Sequence, residues 1–318
     1  LFLTAIDRYG HELWRWTFPV NKLNQANEVL SPLSNKVTST ETENELTVKA
    51  KNHTFIFSKK DGQLKGVSVN NRKISFANGP RFIGARRADR SLDQFYNHDD
   101  EKAKEKDRTY SEFPDAAVFT KLDVKEDGGN LIVTADYKLG NLDKVQWTIN
   151  PNGEAVLDYT YNFSGVVDLM GICFDYPEDQ VISKRWLGAG PYRVWQNRIH
   201  GTQYDVWEND YNDPIPGETF TYPEFKGYFG SVSWMNIRTK EGTISLTNET
   251  PDAYIGVYQP RDGRDRLLYT LPESGISVLN VIPPVRNKVN STDLCGQSSQ
   301  PKWVNGPQSG RIIFRFME

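Results

Sequence analysis

Short runs in which apolar and polar residues alternate fill most of this chain, and they leave it little choice of architecture. LTVKAKNHTFIFS, GGNLIVTADYKLG, VQWTI, EAVLDYTYNFSG, YFGSVSWMNIRT, GTISLTNET, AYIGVYQP, GISVLNVIPP and GRIIFRFME are rich in Val, Ile, Thr, Tyr and Phe. A period of two sets every second side chain on one face of a strand, so each run reads as a half-buried strand. KKDGQ, VNNRK, KEDGG, INPNGE, RTKEGT and PRDGRD separate them. Their Asp-Gly, Asn-Gly and Glu-Gly steps supply the positive φ that tight hairpins need. Helix is scarce: DDEKAKEKD (residues 99–107) and DLCGQS offer at most a turn or two. So many strands predict an all-β chain, a large antiparallel supersandwich with sheets packed face to face.

The first twenty residues stand apart. LFLTAID, RYG and HELWRWTFPV form a strand, a turn and a second strand, followed by the polar, aperiodic run NKLNQANEVLSPLSNKV. A lone hairpin is marginal in water, so it is expected to complete a sheet of the main body or of a separate domain. The sequence therefore divides into a hairpin (1–20), a linker (21–37) and a sandwich (38–318). The chain lacks an initiating Met and opens inside a strand, which leads us to expect a piece of a longer polypeptide.

Charge and composition narrow the partners. A net charge of -3, with both signs interspersed, offers no basic stripe for nucleic acid. No run approaches the roughly 18 apolar residues of a membrane helix. Two cysteines, Cys173 and Cys295, make no disulfide framework or zinc motif, and Cys173 in LMGICF reads as a buried thiol. Asn52, Asn162, Asn248 and Asn290 head sequons, which read first as plain surface asparagines.

FIFSKKDGQLKGVSVNNRKISFANGPRFIGARRADRS resembles the opening of the C-terminal domain of glycoside hydrolase family 2 β-galactosidases. WLGAGPYRVWQNR resembles that family's GxGP turn, and LCGQSSQPKWVNGPQSGRIIFRF its closing loop and last strand. The resemblance runs over residues 38–318 in the family's order, with 1–20 resembling the last hairpin of a preceding immunoglobulin-like domain. It implies a galactose mutarotase-like sandwich serving as an accessory domain. The partner implied is the catalytic barrel of the same polypeptide, which carries both catalytic glutamates. No catalytic residue is assigned here. The implied ligand is a galactoside-like carbohydrate, and the expected location is the periplasm or cell exterior.

The resemblance places Trp303, from the closing loop, against the sugar, and a broad flat ring suits the C–H face of a pyranose. Lys302 stands beside it to reach hydroxyls. In the GxGP turn, Gly188 and Gly190 are expected to allow positive φ, Pro191 to fix the exit, and Tyr192, Arg193 and Trp195 to alternate across a strand edge. Arg193 and Trp195 are then either sugar contacts or rim packing. Where the family shows an acidic residue and a Tyr, this chain has Arg193, Val194 and Trp195.

Other residues keep alternatives open. Asp205, Glu208, Asp210 and Asp213, and Asp99, Asp100 and Glu101, lie in turn-like segments that read as solvated loops or as an oxygen-ligand site for calcium. No other cofactor is implied. A mutarotase-like epimerase would need a histidine paired with a carboxylate, from His53, His98 or His200. A free-standing carbohydrate-binding module would use Trp186, Trp195, Trp207 or Trp303 as stacking rings.

Overall fold

The computed structural model describes residues 1–18, 20, 36–87, 110–211, 227–258, 272, 274–284 and 296–318. In chain order the strands are β1 (Phe2–Ile6), β2 (Glu12–Thr17), β3 (Thr38–Glu41), β4 (Glu45–Ala50), β5 (His53–Ser58), β6 (Leu64–Val69) and β7 (Arg72–Ile74). There follow β8 (Ala77–Arg87), β9 (Tyr110–Glu112), β10 (Val118–Asp127), β11 (Asn130–Lys138), β12 (Leu142–Ile149), β13 (Ala155–Val167) and β14 (Leu169–Asp175). The rest are β15 (Val181–Gly190), β16 (Gln203–Asp210), β17 (Trp234–Thr239), β18 (Gly242–Asn248), β19 (Tyr254–Val257), β20 (Ile276–Val281) and β21 (Lys302–Met317).

Among the described residues these strands make two large sheets. The nine-stranded sheet runs β10-β11-β12-β13-β21-β18-β17-β15-β16, and the ten-stranded sheet runs β19-β20-β14-β8-β6-β5-β4-β3 with β7 on β6 and β9 on β8. The strand pairs are antiparallel throughout. The hairpin β1-β2 forms a sheet of its own and joins neither large one, with Leu3, Ile6 and Leu13 exposed. The all-β sandwich expected from the alternation is what forms. Residues 21–35 of the expected linker and the charged run 99–107 lie outside the described residues.

Alternation explains the core. On β13, Ala155, Leu157, Tyr159 and Tyr161 are buried while Asp158 and Thr160 face out. Aromatic rings lock the two sheets together: Trp147 of β12 lies 6.2 Å from Phe57 of β5 and 6.1 Å from Phe174 of β14. Phe76 stacks on Phe174 at 4.5 Å. β14 is buried along almost its whole length, because it is covered on both faces. Met170, Ile172 and Phe174 join the main core, while Leu169 and Cys173 join a second cluster with Ile83, Leu279, Val194, Trp195 and Tyr228.

The turns behave as their residues require. Asn70 and Asn71 hold φ of 48° and 64°, and Gly128 and Gly129 hold 57° and 90°, both pairs closing two-residue hairpins. The expected short turn near DLCGQS is a 3₁₀ turn at Gln297–Ser299.

Candidate functional site

The segment after β15 is a strap, not an exposed strand edge. Val194 bridges to Tyr228 by mutual backbone hydrogen bonds of 2.8 and 2.9 Å, which carries the chain onto the outer side of β8, β14 and β20. Trp195 meets Tyr228 edge to face at 5.8 Å and is 2% exposed. The alternation expected across Tyr192, Arg193 and Trp195 gives way to four consecutive buried residues, Arg193 to Gln196, and neither Arg193 nor Trp195 offers a face to a solvent-borne sugar.

The glycines of the turn also act otherwise than expected. Neither Gly188 nor Gly190 has positive φ. Both lie in β15, where neighbours crowd them: a Cβ on Gly190 would sit 2.4 Å from the Trp207 ring, and one on Gly188 would sit 3.0 Å from Gly230 O and Val232 Cα. Close approach rather than backbone conformation demands glycine here. Gly190–Pro191 is cis, as is Gly79–Pro80 in the first GP motif.

Beneath the strap lies a cation–aromatic cluster. Arg193 Cζ is 5.8 Å and Lys184 Nζ 5.9 Å from the centroid of Phe229, and Lys184 Nζ donates to Asp210 O at 3.1 Å while lying 5.0 Å over Tyr211. Tyr211 donates to Glu178 Oε1 at 2.6 Å. Burial, reinforced by that carboxylate, pushes the Tyr211 phenol far above its ordinary value. Arg193 and Lys184 are each 1% exposed, so they organise the interior where β15 meets its neighbours.

One residue of the strap reaches the other end of the chain. Gln196 Nε2 donates to Ser298 O at 2.9 Å and to Gln300 O at 2.7 Å, and Gln196 N donates to Pro283 O at 3.0 Å. The two side-chain bonds fasten the turn that feeds directly into β21, and the backbone bond ties the strap to the segment after β20. Nothing in the sequence singled out Gln196 beyond its place in an aromatic run.

Trp303 sits at the start of β21 and is 71% exposed. It stands on a paired strand rather than in a loop: β13 and β21 hold continuous register from Val167↔Lys302 to Ala155↔Phe314. Asn305, Gly306 and Pro307 read as loop residues in sequence. The strand tolerates them because β18 pairs only with Thr243↔Met317 through Asn248↔Ile312, so this half of β21 has a partner strand on one side. Lys302 is also exposed, but consecutive strand residues face opposite ways. Trp303 and Lys302 therefore serve different faces.

The remaining candidates disperse. Asp205, Glu208 and Asp210 lie on β16, an edge strand rather than a turn, where alternation sets Asp205 opposite the other two. Glu208 pairs across to Arg185 at 3.9 Å. Among the described residues no three of His, Cys, Asp and Glu gather as a metal site. Asp213, Asp99, Asp100, Glu101, His98, Asn290 and Cys295 lie outside those residues. His53 is held at Phe316 O, 2.8 Å from Nε2, and His200 lies in a turn whose carbonyl accepts from Tyr192. Trp186 is fully buried, with Nε1 donating to Ala189 O, and Trp207 Nε1 donates to Gln203 O. Burial raises the Cys173 thiol to about 11, which makes it inert.

Arg81, in the first GP motif, ties two strands together. Its Nη2 donates to Asp175 Oδ1 at 2.7 Å and its Nη1 to Asn78 O at 2.8 Å. This fixes the start of β8 against β14.

The profile of the family described as Beta galactosidase small chain matches residues 49–280, which spans the GP motifs, the strap and most strands of both sheets. The chain belongs to that family. Membership marks it as a carbohydrate-related domain. Among solved structures it is similar to galactose 1-epimerase from Lactobacillus acidophilus NCFM, at 8% identity over 90% of this chain and 99% of that one, with a TM-score of 0.43. A GalM/aldose epimerase homologue from C. elegans gives 8% identity, 88% and 99% coverage and a TM-score of 0.42. Alpha-N-acetylgalactosaminidase NagBb from Bifidobacterium bifidum gives 11% identity, 86% of this chain and 36% of that one, and a TM-score of 0.40. No curated protein sequence matches this chain. Among its described residues no helix is long and apolar enough to cross a membrane.

Proposed function

We propose that this domain is the C-terminal accessory domain of a family 2, β-galactosidase-like glycoside hydrolase, and that it closes one wall of the active site with Trp303. In this reading it does not hydrolyse glycosides alone. Both catalytic carboxylates come from a β/α barrel elsewhere in the enzyme, and the substrate is a galactoside-like carbohydrate. The observation that carries the reading is an indole 71% exposed on a strand held in continuous register by β13, in a chain of the Beta galactosidase small chain family. A Trp left bare on rigid backbone is preorganised to cover the apolar face of a pyranose. Gln196 supports that rigidity from behind by fixing the turn before β21.

The experiment is kinetic. In the assembled enzyme, Trp303→Ala should lower kcat/KM for a β-galactoside by about tenfold or more, equivalent to about 1.4 kcal/mol of lost transition-state binding, while Trp303→Phe restores part of it. Unchanged kcat/KM in a correctly folded Trp303→Ala enzyme would remove the indole from the site.

A further inference from the structure

We propose that the outer face of the nine-stranded sheet holds a second saccharide-binding site, in the cavity around Arg311, separate from Trp303. The cavity measures about 470 Å³, within the range of small-molecule sites.

Register builds it. Gln146 of β12, Asp158 of β13 and Arg311 of β21 are cross-strand partners in one row, and Lys144, Thr160 and Ser309 form the next row on the same face. The turn after β18 adds a fourth wall, because Glu249 N donates to Arg311 O at 3.0 Å and brings its carboxylate over the row. Thr250 Oγ1 anchors that turn, accepting from Arg311 N at 2.9 Å and lying 3.2 Å from Arg311 O as donor.

The chemistry follows from how these groups are left. Arg311 Nε lies 3.6 Å from both Asp158 Oδ1 and Glu249 Oε2, close enough for attraction and too far for a hydrogen bond. Among the described residues none of the polar side chains in the two rows hydrogen-bonds to another. Burial, reinforced by Glu249 and opposed by Arg311, raises the Asp158 carboxyl above its ordinary value. Half-exposed donors and acceptors therefore line a hollow without hydrogen-bonding to one another.

Charge selects the ligand. Lys144 and Arg311 balance Asp158 and Glu249, so an anion meets two carboxylates and a divalent cation meets two cationic side chains. A neutral polyol fits both, since each hydroxyl donates to a carboxylate while accepting from a guanidinium, ammonium or amide. Trp303 and Ser309 share one face of β21 but lie six residues apart, roughly 20 Å along a strand. One sugar unit cannot touch both, so this site does not depend on the Trp303 reading.

The test uses the full chain and lactose, followed by saturation-transfer NMR and titration calorimetry. Saturable binding in the millimolar range is expected. It should weaken by about tenfold in Arg311→Ala and in Ser309→Trp, which fills the hollow from outside, and persist in Trp303→Ala. Circular dichroism melts establish that each variant is folded. Absence of lactose binding to the folded wild type overturns the proposal. So does binding that survives Ser309→Trp and is lost in Trp303→Ala, which leaves the Trp303 platform as the sole sugar site. Displacement of lactose by inorganic phosphate or calcium contradicts the assigned ligand class.

Discussion

Gln196 Nε2 donates to the backbone oxygen of Gln300 at 2.7 Å, joining residues 104 positions apart in the chain. With its second bond to Ser298 O, one amide ties the strap on the ten-stranded sheet to the turn that launches Trp303. The amide is 7% exposed, so water cannot readily replace it.

Gln196→Ala should leave two carbonyls without their partner and cost about 1 to 3 kcal/mol. Hydrogen exchange should quicken across residues 297–303 while the exchange of β13 stays slow. Equal exchange in both proteins would mean that the turn is held by other contacts.

Gly190→Ala forces a methyl against the Trp207 indole, at 2.4 Å from its nearest atoms, and should destabilise by about 1 to 3 kcal/mol. Gly66 is the control, since a Cβ there meets nothing within 4 Å and its φ is ordinary. Gly66→Ala should be neutral or raise the thermal midpoint slightly. The prediction fails if the two variants melt together.

The Arg81–Asp175 pair should mark the acid limb of stability. Burial alone would raise the Asp175 carboxyl, but hydrogen bonds from Arg81 and Asn78 outweigh it and hold the group below its ordinary 3.8. A lowered carboxyl contributes stability that is present above about pH 4 and is lost as pH falls through the lowered value. Asp175 is 49% exposed, so solvent screening limits the gain to about 1 kcal/mol or less. Asp175→Asn should lower the neutral-pH midpoint modestly and flatten the stability slope below about pH 4, as read by chemical denaturation at stepped pH.

Much of the fold was legible because alternation reports burial directly. The runs that became β11 and β13 expose one face and bury the other, and their turns carried the glycines and asparagines that positive φ requires. β16 was hidden because its acidic residues look like a solvated turn. It is an edge strand, where pairing on one side suffices. The first half of β21 was hidden by Asn305, Gly306 and Pro307, since no composition reveals that β13 would supply a continuous partner.

Among the candidate rings, sequence alone does not separate the exposed from the buried. Trp195 and Trp303 are both candidate stacking rings in the sequence, yet one is 2% exposed and the other 71%. Tertiary placement decides between them, as it decides that Gly188 and Gly190 serve close packing rather than a turn. Gln196 carries no motif, and its partners are distant in the chain.

The most direct test of the central claim watches Trp303 itself. The assembled enzyme would be labelled with 5-fluorotryptophan, and the Trp303 resonance assigned by its absence in Trp303→Phe. Adding a β-galactoside should shift that one line saturably, with the same midpoint as substrate binding. A line that stays fixed while the enzyme binds sugar would show that the indole does not meet the substrate, and would contradict the account.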